Sequence, residues 1–186
     1  PEGAEEGIVK GMYKLAKAGK AKHKVTLMGA GTILNEVIAA AAILKESYSV
    51  DADIWSLTSV NELVREGQAV DRWNLLHPTD KPQQSYISAQ LGDSEAPIVA
   101  ATDYMKGYAE QMRAYIKQPF YVLGTDGFGR SDSRAALRHF FEVDRYFIAI
   151  SALKALADKG EIKAAVVKKA IADFGIDPDK SNPLYL

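Results

Sequence analysis

Four short runs rich in apolar residues, 25–28, 52–57, 97–101 and 120–123, alternate along the chain with longer stretches whose apolar positions recur every three or four residues. The runs are expected to be strands buried on both faces, and the stretches to be helices that cover them. In the helix expected over 32–48, Ile33, Val37, Ala41, Leu44 and Tyr48 form one column and Leu34, Ile38 and Ala42 the next. That apolar face is wide enough to meet two surfaces. Thr58 or Ser59 is placed to cap a helix carrying Val60, Leu63, Val64, Val70, Trp73, Leu75 and Leu76, broken or bent near Gly67 and ended by Pro78. A polar connection over 79–94 holds a brief helix at 86–91, and a helix over 104–116 carries Tyr108, Met112 and Tyr115 on one side.

Nearer the N-terminus, Val9, Gly11, Tyr13 and Leu15 alternate with Lys10, Met12 and Lys14. This is the pattern of a half-exposed edge strand over 9–15, with lysines that discourage pairing by another chain. Residues 18–24 form a basic, solvated turn in which His23 is exposed and without a role. Toward the other end, Asp144 should cap a helix over 145–159 that Gly160 ends, and Ile162, Val166, Ala170, Ile171 and Phe174 stripe one that stops at Gly175. Strands alternating with helices, followed by closing helices, predict a three-layer α/β/α sandwich around one mostly parallel sheet. Residues 1–7 are expected to be a linker from an upstream domain, and residues 8–186 a single domain.

The last strand runs into FYVLGTDGFGRSDSR, residues 120–134. Gly124, Gly127 and Gly129 allow a sharp bend or a close approach, and Ser131 or Asp132 can cap a helix through Ala135, Ala136, Leu137, Phe140 and Phe141. Gly127, Gly129, Arg130, Ser131 and Asp132 are therefore the candidate interface or anion loop. As an interface element, Arg130 pairs with an acid of its own chain or of a second subunit. As an anion site, the loop over 124–132 makes the chain a small-anion or partner-binding regulatory module. GTDGFG lacks both the lysine and hydroxyl of a P-loop and the GxGxxG spacing, which favours the architectural use.

Composition narrows the class without naming a chemistry. Lys and Arg number 23 against 24 Asp and Glu, a formal net charge of −1, so no global field attracts nucleic acid or an acidic membrane. The absence of cysteine excludes disulfides, thiolate metal sites and cysteine nucleophiles, and fits a cytoplasmic protein. A start at Pro1 rather than methionine is expected of a piece of something longer.

No catalytic constellation is visible: there are no paired carboxylates, no metal-ligand cluster and no nucleophile with a positioned base. After the first parallel strand, Gly29-Ala30-Gly31 approaches a dinucleotide fingerprint, with Asp51 or Asp53 near the place of the ribose-binding acid, but Leu34 stands where the third glycine belongs. His77, before Pro78, is expected to be a locally bonded helix-end histidine rather than a base.

Larger blocks carry a resemblance. ATDYMK at 101–106, VLGTDGFGRSDSR at 122–134, LRHFFEVD at 137–144, RWNLLHP at 72–78, the opening PEGAEEGI and the closing DPDKSNP together cover essentially the whole chain. They closely resemble the C-terminal domain of the bacterial homodimeric pyruvate dehydrogenases, a group within the transketolase-like family. The resemblance implies a five-stranded mixed sheet of order 1-3-2-4-5 with strand one antiparallel, and a domain that helps form the dimer. It also implies a parent enzyme that uses thiamine diphosphate and Mg2+ and passes an acetyl group to the lipoyl group of dihydrolipoyl acetyltransferase. In that family the GDG motif and following asparagine that hold diphosphate and metal, and the activating glutamate, lie in upstream domains. Thr125-Asp126-Gly127 and Leu91-Gly92-Asp93 do not replace them. The resemblance thus implies no catalytic, cofactor-binding or metal residues within this chain.

Overall fold

The apolar runs pair in the computed structural model, which describes residues 1–186, as one five-stranded sheet. The strands are β1 (Met12–Ala16), β2 (His23–Ala30), β3 (Val50–Leu57), β4 (Ile98–Ala101) and β5 (Phe120–Leu123), in the order β1-β3-β2-β4-β5. β2 is parallel to β3 and β4, β4 is parallel to β5, and β1 runs antiparallel at the edge, as expected. Because side chains alternate across a strand, Val25 and Leu27 enter the apolar cluster on one face while Met28 enters that on the other.

Eight helices surround the sheet: α1 (Glu5–Lys10), α2 (Leu34–Tyr48), α3 (Val60–Leu76), α4 (Tyr86–Leu91), α5 (Lys106–Glu110), α6 (Arg134–Phe140), α7 (Arg145–Asp158) and α8 (Ala164–Asp173). One face is covered by α2, α7 and α8, through Val37, Leu44, Ile148, Leu153, Leu156 and Ala170. The opposite face is covered by α3, α4 and α5 with the 3-10 turn Gln111–Tyr115, through Leu63, Ile87, Ala109 and Met112. Both faces being buried explains why β2 to β5 read as continuous apolar runs rather than alternating ones. No helix is long and apolar enough to cross a membrane.

Several local expectations need correction. The edge strand begins at Met12 rather than Val9, because α1 occupies Glu5–Lys10 and leaves Val9 on its solvent side. His23 is not a loose turn residue: it opens β2, half-buried, with Nδ1 3.4 Å from Glu161. The helix expected over 104–116 is two shorter pieces, α5 and the following 3-10 turn. α3 continues through Gly67, where the ring of Tyr115 lies against the helix. Its cap is Ser59, whose hydroxyl accepts from the Glu62 N–H at 3.2 Å. α6 is capped by Ser133, not by Ser131 or Asp132: Ser133 Oγ accepts from Ala136 N–H at 3.2 Å. Asp132 instead accepts from the N–H of Ser133. Ile38, placed in the wide apolar face of α2, is exposed.

Candidate functional site

After β2 the chain crosses one face of the sheet to β3, and after β4 it crosses the opposite face to β5. Adjacent β2 and β4 therefore send their continuations in opposite directions, which opens a crevice between their carboxyl ends. Into it come the turn Gly31–Ile33 after β2, the loop after β4 and the glycine loop after β5. The resulting cavity of about 450 Å3 is lined by Thr32, Asp103, Thr125, Gly127, Gly129, Arg130, Arg134 and Arg138, with Ile33, Leu137, Phe141 and Val143 as its apolar part.

Hydrogen bonds fix its rim. Thr32 Oγ1 donates to Asp103 Oδ2 at 3.2 Å, joining the β2 and β4 lips. Thr125 Oγ1 donates to the Asp103 carbonyl at 2.9 Å, and Thr125 N–H to the Tyr104 carbonyl at 2.9 Å, joining β4 to β5. Asp126 accepts from Lys106 N–H at 2.9 Å. Gly124 is needed for this approach, since a Cβ there would lie 2.7 Å from the Tyr104 carbonyl. Gly127 has φ +99°, and a Cβ on it would lie 2.7 Å from the Pro183 carbonyl, so the C-terminal turn seats on the loop. Gly129 meets nothing within 4 Å.

Of the sequence candidates, Gly127, Gly129 and Arg130 line the cavity, while Ser131 and Asp132 lie with Arg130 on an outer depression beside α6. Arg130 finds no acid of its own chain: its guanidinium stacks 4.6 Å above the Phe140 ring. Phe128, between the two glycines, is 81% exposed, and Tyr104, Met105 and Tyr185 are exposed as well. Asp51 and Asp53 are remote from this edge. They sit in the amino-terminal half of β3 and accept the N–H groups of Ala21 and Ala18. His77 is locally satisfied, with Nδ1 2.8 Å from the Trp73 carbonyl and its ring stacked on Trp73 at 4.3 Å.

Sequence reasoning missed a group behind the cavity. Glu36, on α2 and only 5% exposed, accepts from Arg138 Nη1 at 2.9 Å, from Arg145 Nε at 2.9 Å and Nη2 at 3.2 Å, and from the Arg145 N–H at 3.1 Å. The hydrogen bonds from the Arg145 side chain hold its carboxyl below the usual carboxylate range against the upward push of burial, with the Arg145 backbone N–H and the charge of Arg138 adding to them. Asp144 beside it caps α7, accepting from Tyr146 N–H at 2.9 Å and Phe147 N–H at 3.0 Å, and lies 2.9 Å from His139 Nδ1.

Residues 11–144 match the transketolase-like TK C-terminal domain model, and the chain belongs to that family. It is 58% identical over 186 residues to the pyruvate dehydrogenase E1 component of Pseudomonas aeruginosa, covering 99% of this chain and 21% of that protein. It is 55% identical over 184 residues to that of Escherichia coli K12, covering 98% of this chain and 20% of that protein. The chain thus spans about one fifth of the length of these relatives. Among solved structures, transketolase from Pichia stipitis superposes with TM-score 0.57 at 21% identity, covering 84% of this chain and 19% of that one. Transketolase from Leishmania mexicana does so with TM-score 0.55 at 16% identity, covering 81% and 18%. At those identities the likeness is one of fold.

Proposed function

We propose that this chain is the C-terminal structural and dimer-forming domain of a bacterial, cytoplasmic pyruvate dehydrogenase. In this reading the whole protein decarboxylates pyruvate and hands the acetyl group to the lipoyl group of dihydrolipoyl acetyltransferase. The observation that carries the reading is 58% identity extending over 99% of the chain to one named pyruvate dehydrogenase component. Residues 1–7 would connect to the upstream domains and 8–186 would form the domain proper.

Thiamine diphosphate and Mg2+ would supply the decarboxylating chemistry from outside this chain. The residues present do not fit the metal: no group of three or more His, Cys, Asp or Glu is arranged to hold one, and Asp126 of the TDG sequence is spent on the Lys106 N–H. The contribution of this chain is then assembly. The glycine loop, with Gly127, Gly129, Arg130, Ser131 and Asp132, presents Phe128 to solvent, and the segments against which Gly124 and Gly127 pack expose Tyr104 and Tyr185, apolar groups suited to a second subunit.

The test uses the full-length protein supplied with thiamine diphosphate and Mg2+. Pyruvate-dependent CO2 release is expected, and its absence would overturn the assignment. Phe128→Ser is expected to weaken the dimer in sedimentation while sparing turnover per assembled site. An unchanged dimer with collapsed turnover would place the loop at the chemistry instead.

A further inference from the structure

We propose that the crevice between the carboxyl ends of β2 and β4 binds a small organic phosphate that carries a free hydroxyl group. The inference does not rest on the pyruvate dehydrogenase reading, since it concerns a cavity complete within this chain.

The charge balance of the cavity is the starting point. Three arginines, Arg130, Arg134 and Arg138, line it against one acidic residue, Asp103, with the Arg130 guanidinium at its outer side over Phe140. They follow one another at intervals of four residues, and Arg134 and Arg138 stand one turn apart on the same side of α6, where like charges repel. Neighbouring acids do not relieve this. Only Arg138 has a carboxylate partner in the chain, and that partner, Glu36, already receives three hydrogen bonds from Arg145. Arg130 and Arg134 enter no ion pair, although the chain as a whole has acids to spare at a net charge of −1. A dianion between them removes the repulsion, and guanidinium forks match phosphate oxygens two at a time.

The rest of the lining specifies what is attached to the phosphate. Asp103 accepts one hydrogen bond, from Thr32, and can accept another from a ligand hydroxyl. Ile33, Leu137, Phe141 and Val143 offer apolar contact to a short carbon skeleton. About 450 Å3 is several times what a bare phosphate fills and falls in the range of small-molecule sites. The location agrees, since in open α/β sheets ligands sit where neighbouring crossovers diverge. The three arginines gather around one recess rather than forming a stripe along the surface, which separates this site from a polyanion or membrane surface.

The 186-residue chain is titrated at low salt with glycerol 3-phosphate, methyl phosphate and glycerol, and followed by backbone amide shifts. Glycerol 3-phosphate is expected to saturate and to move Thr32, Asp103, Thr125 and Gly129 together. Arg134 is exposed and unpaired, so Arg134→Gln leaves the fold intact, and it should weaken binding about tenfold. Asp103→Asn should remove the preference for glycerol 3-phosphate over methyl phosphate without abolishing phosphate binding. Shifts that scatter over surface lysines, or an Arg134→Gln affinity equal to wild type, would overturn the site. Equal binding of the two phosphates by wild type would overturn its hydroxyl-bearing ligand.

Discussion

Glu36 and Arg145 stand 109 residues apart in the chain and meet through three hydrogen bonds of 2.9–3.2 Å, two from the guanidinium and one from the backbone N–H that opens α7. One carboxylate thereby orients α7 on α2 and, through Arg138, holds α6 beside them.

Glu36→Ala should accordingly destabilise the fold by about 3 kcal/mol, the low end for breaking a buried pair, because Arg145 is half exposed and can rehydrate. Urea unfolding of the two proteins measures it. A loss below that of an exposed ion pair would mean that α7 is held by packing alone.

The same carboxyl makes the stability depend on pH. Its folded pKa is depressed, so its contribution is complete above the unfolded value of about 4.3 and is lost as pH falls through the folded value. The gap between wild type and Glu36→Ala is therefore expected to be constant near neutrality and to close in acid below that window. A gap that widened on acidification would contradict the assignment.

Two glycines of the loop should separate by experiment. Gly127→Ala places a Cβ at φ +99° and against the Pro183 carbonyl, and should cost at least about 1 kcal/mol. Gly129→Ala meets open space and should stay within about 0.5 kcal/mol. Thermal unfolding of both variants distinguishes a loop shaped by Gly127 from one tolerant throughout.

Capping provides a further check. Ser133→Ala removes the acceptor of the Ala136 N–H and should cost about 1 kcal/mol, whereas Ser131→Ala, which touches no helix terminus, should be close to neutral. Amide exchange over Ala136 and Leu137 would localise the effect.

The sheet was legible because its signals are local. Runs such as those at Val25 and Phe120 meet an apolar cluster on each face and need no knowledge of their partners. The wrong boundary at Val9 shows the limit: alternation over 9–15 is equally produced by the end of α1 and the start of β1. Ser131 and Asp132 lost the cap to Ser133 for a similar reason, since all three can accept an N–H and only the backbone path of the loop selects one. Gly127 and Arg130 were found through the glycine spacing, but Thr32 and Asp103 were not, because the crevice exists only once β2 and β4 are neighbours. Glu36 was invisible as one more acid in a helix, with both cations more than 100 positions away.

The match to the family model stops at residue 144, yet Ile148, Ala149, Ala152, Leu153 and Leu156 of α7 are fully buried against the sheet. While the chain emerges from the ribosome, Val99 and Ala101 of β4 are made before the part of this face that α7 supplies, which arrives some 50 residues later. Until then the part of that face which α2 leaves uncovered is an open greasy surface, the kind that chaperones hold and that aggregation exploits. Nascent chains interrupted just past Asp144 therefore carry every strand of the sheet and still lack α7 and α8, which complete the cover of that face.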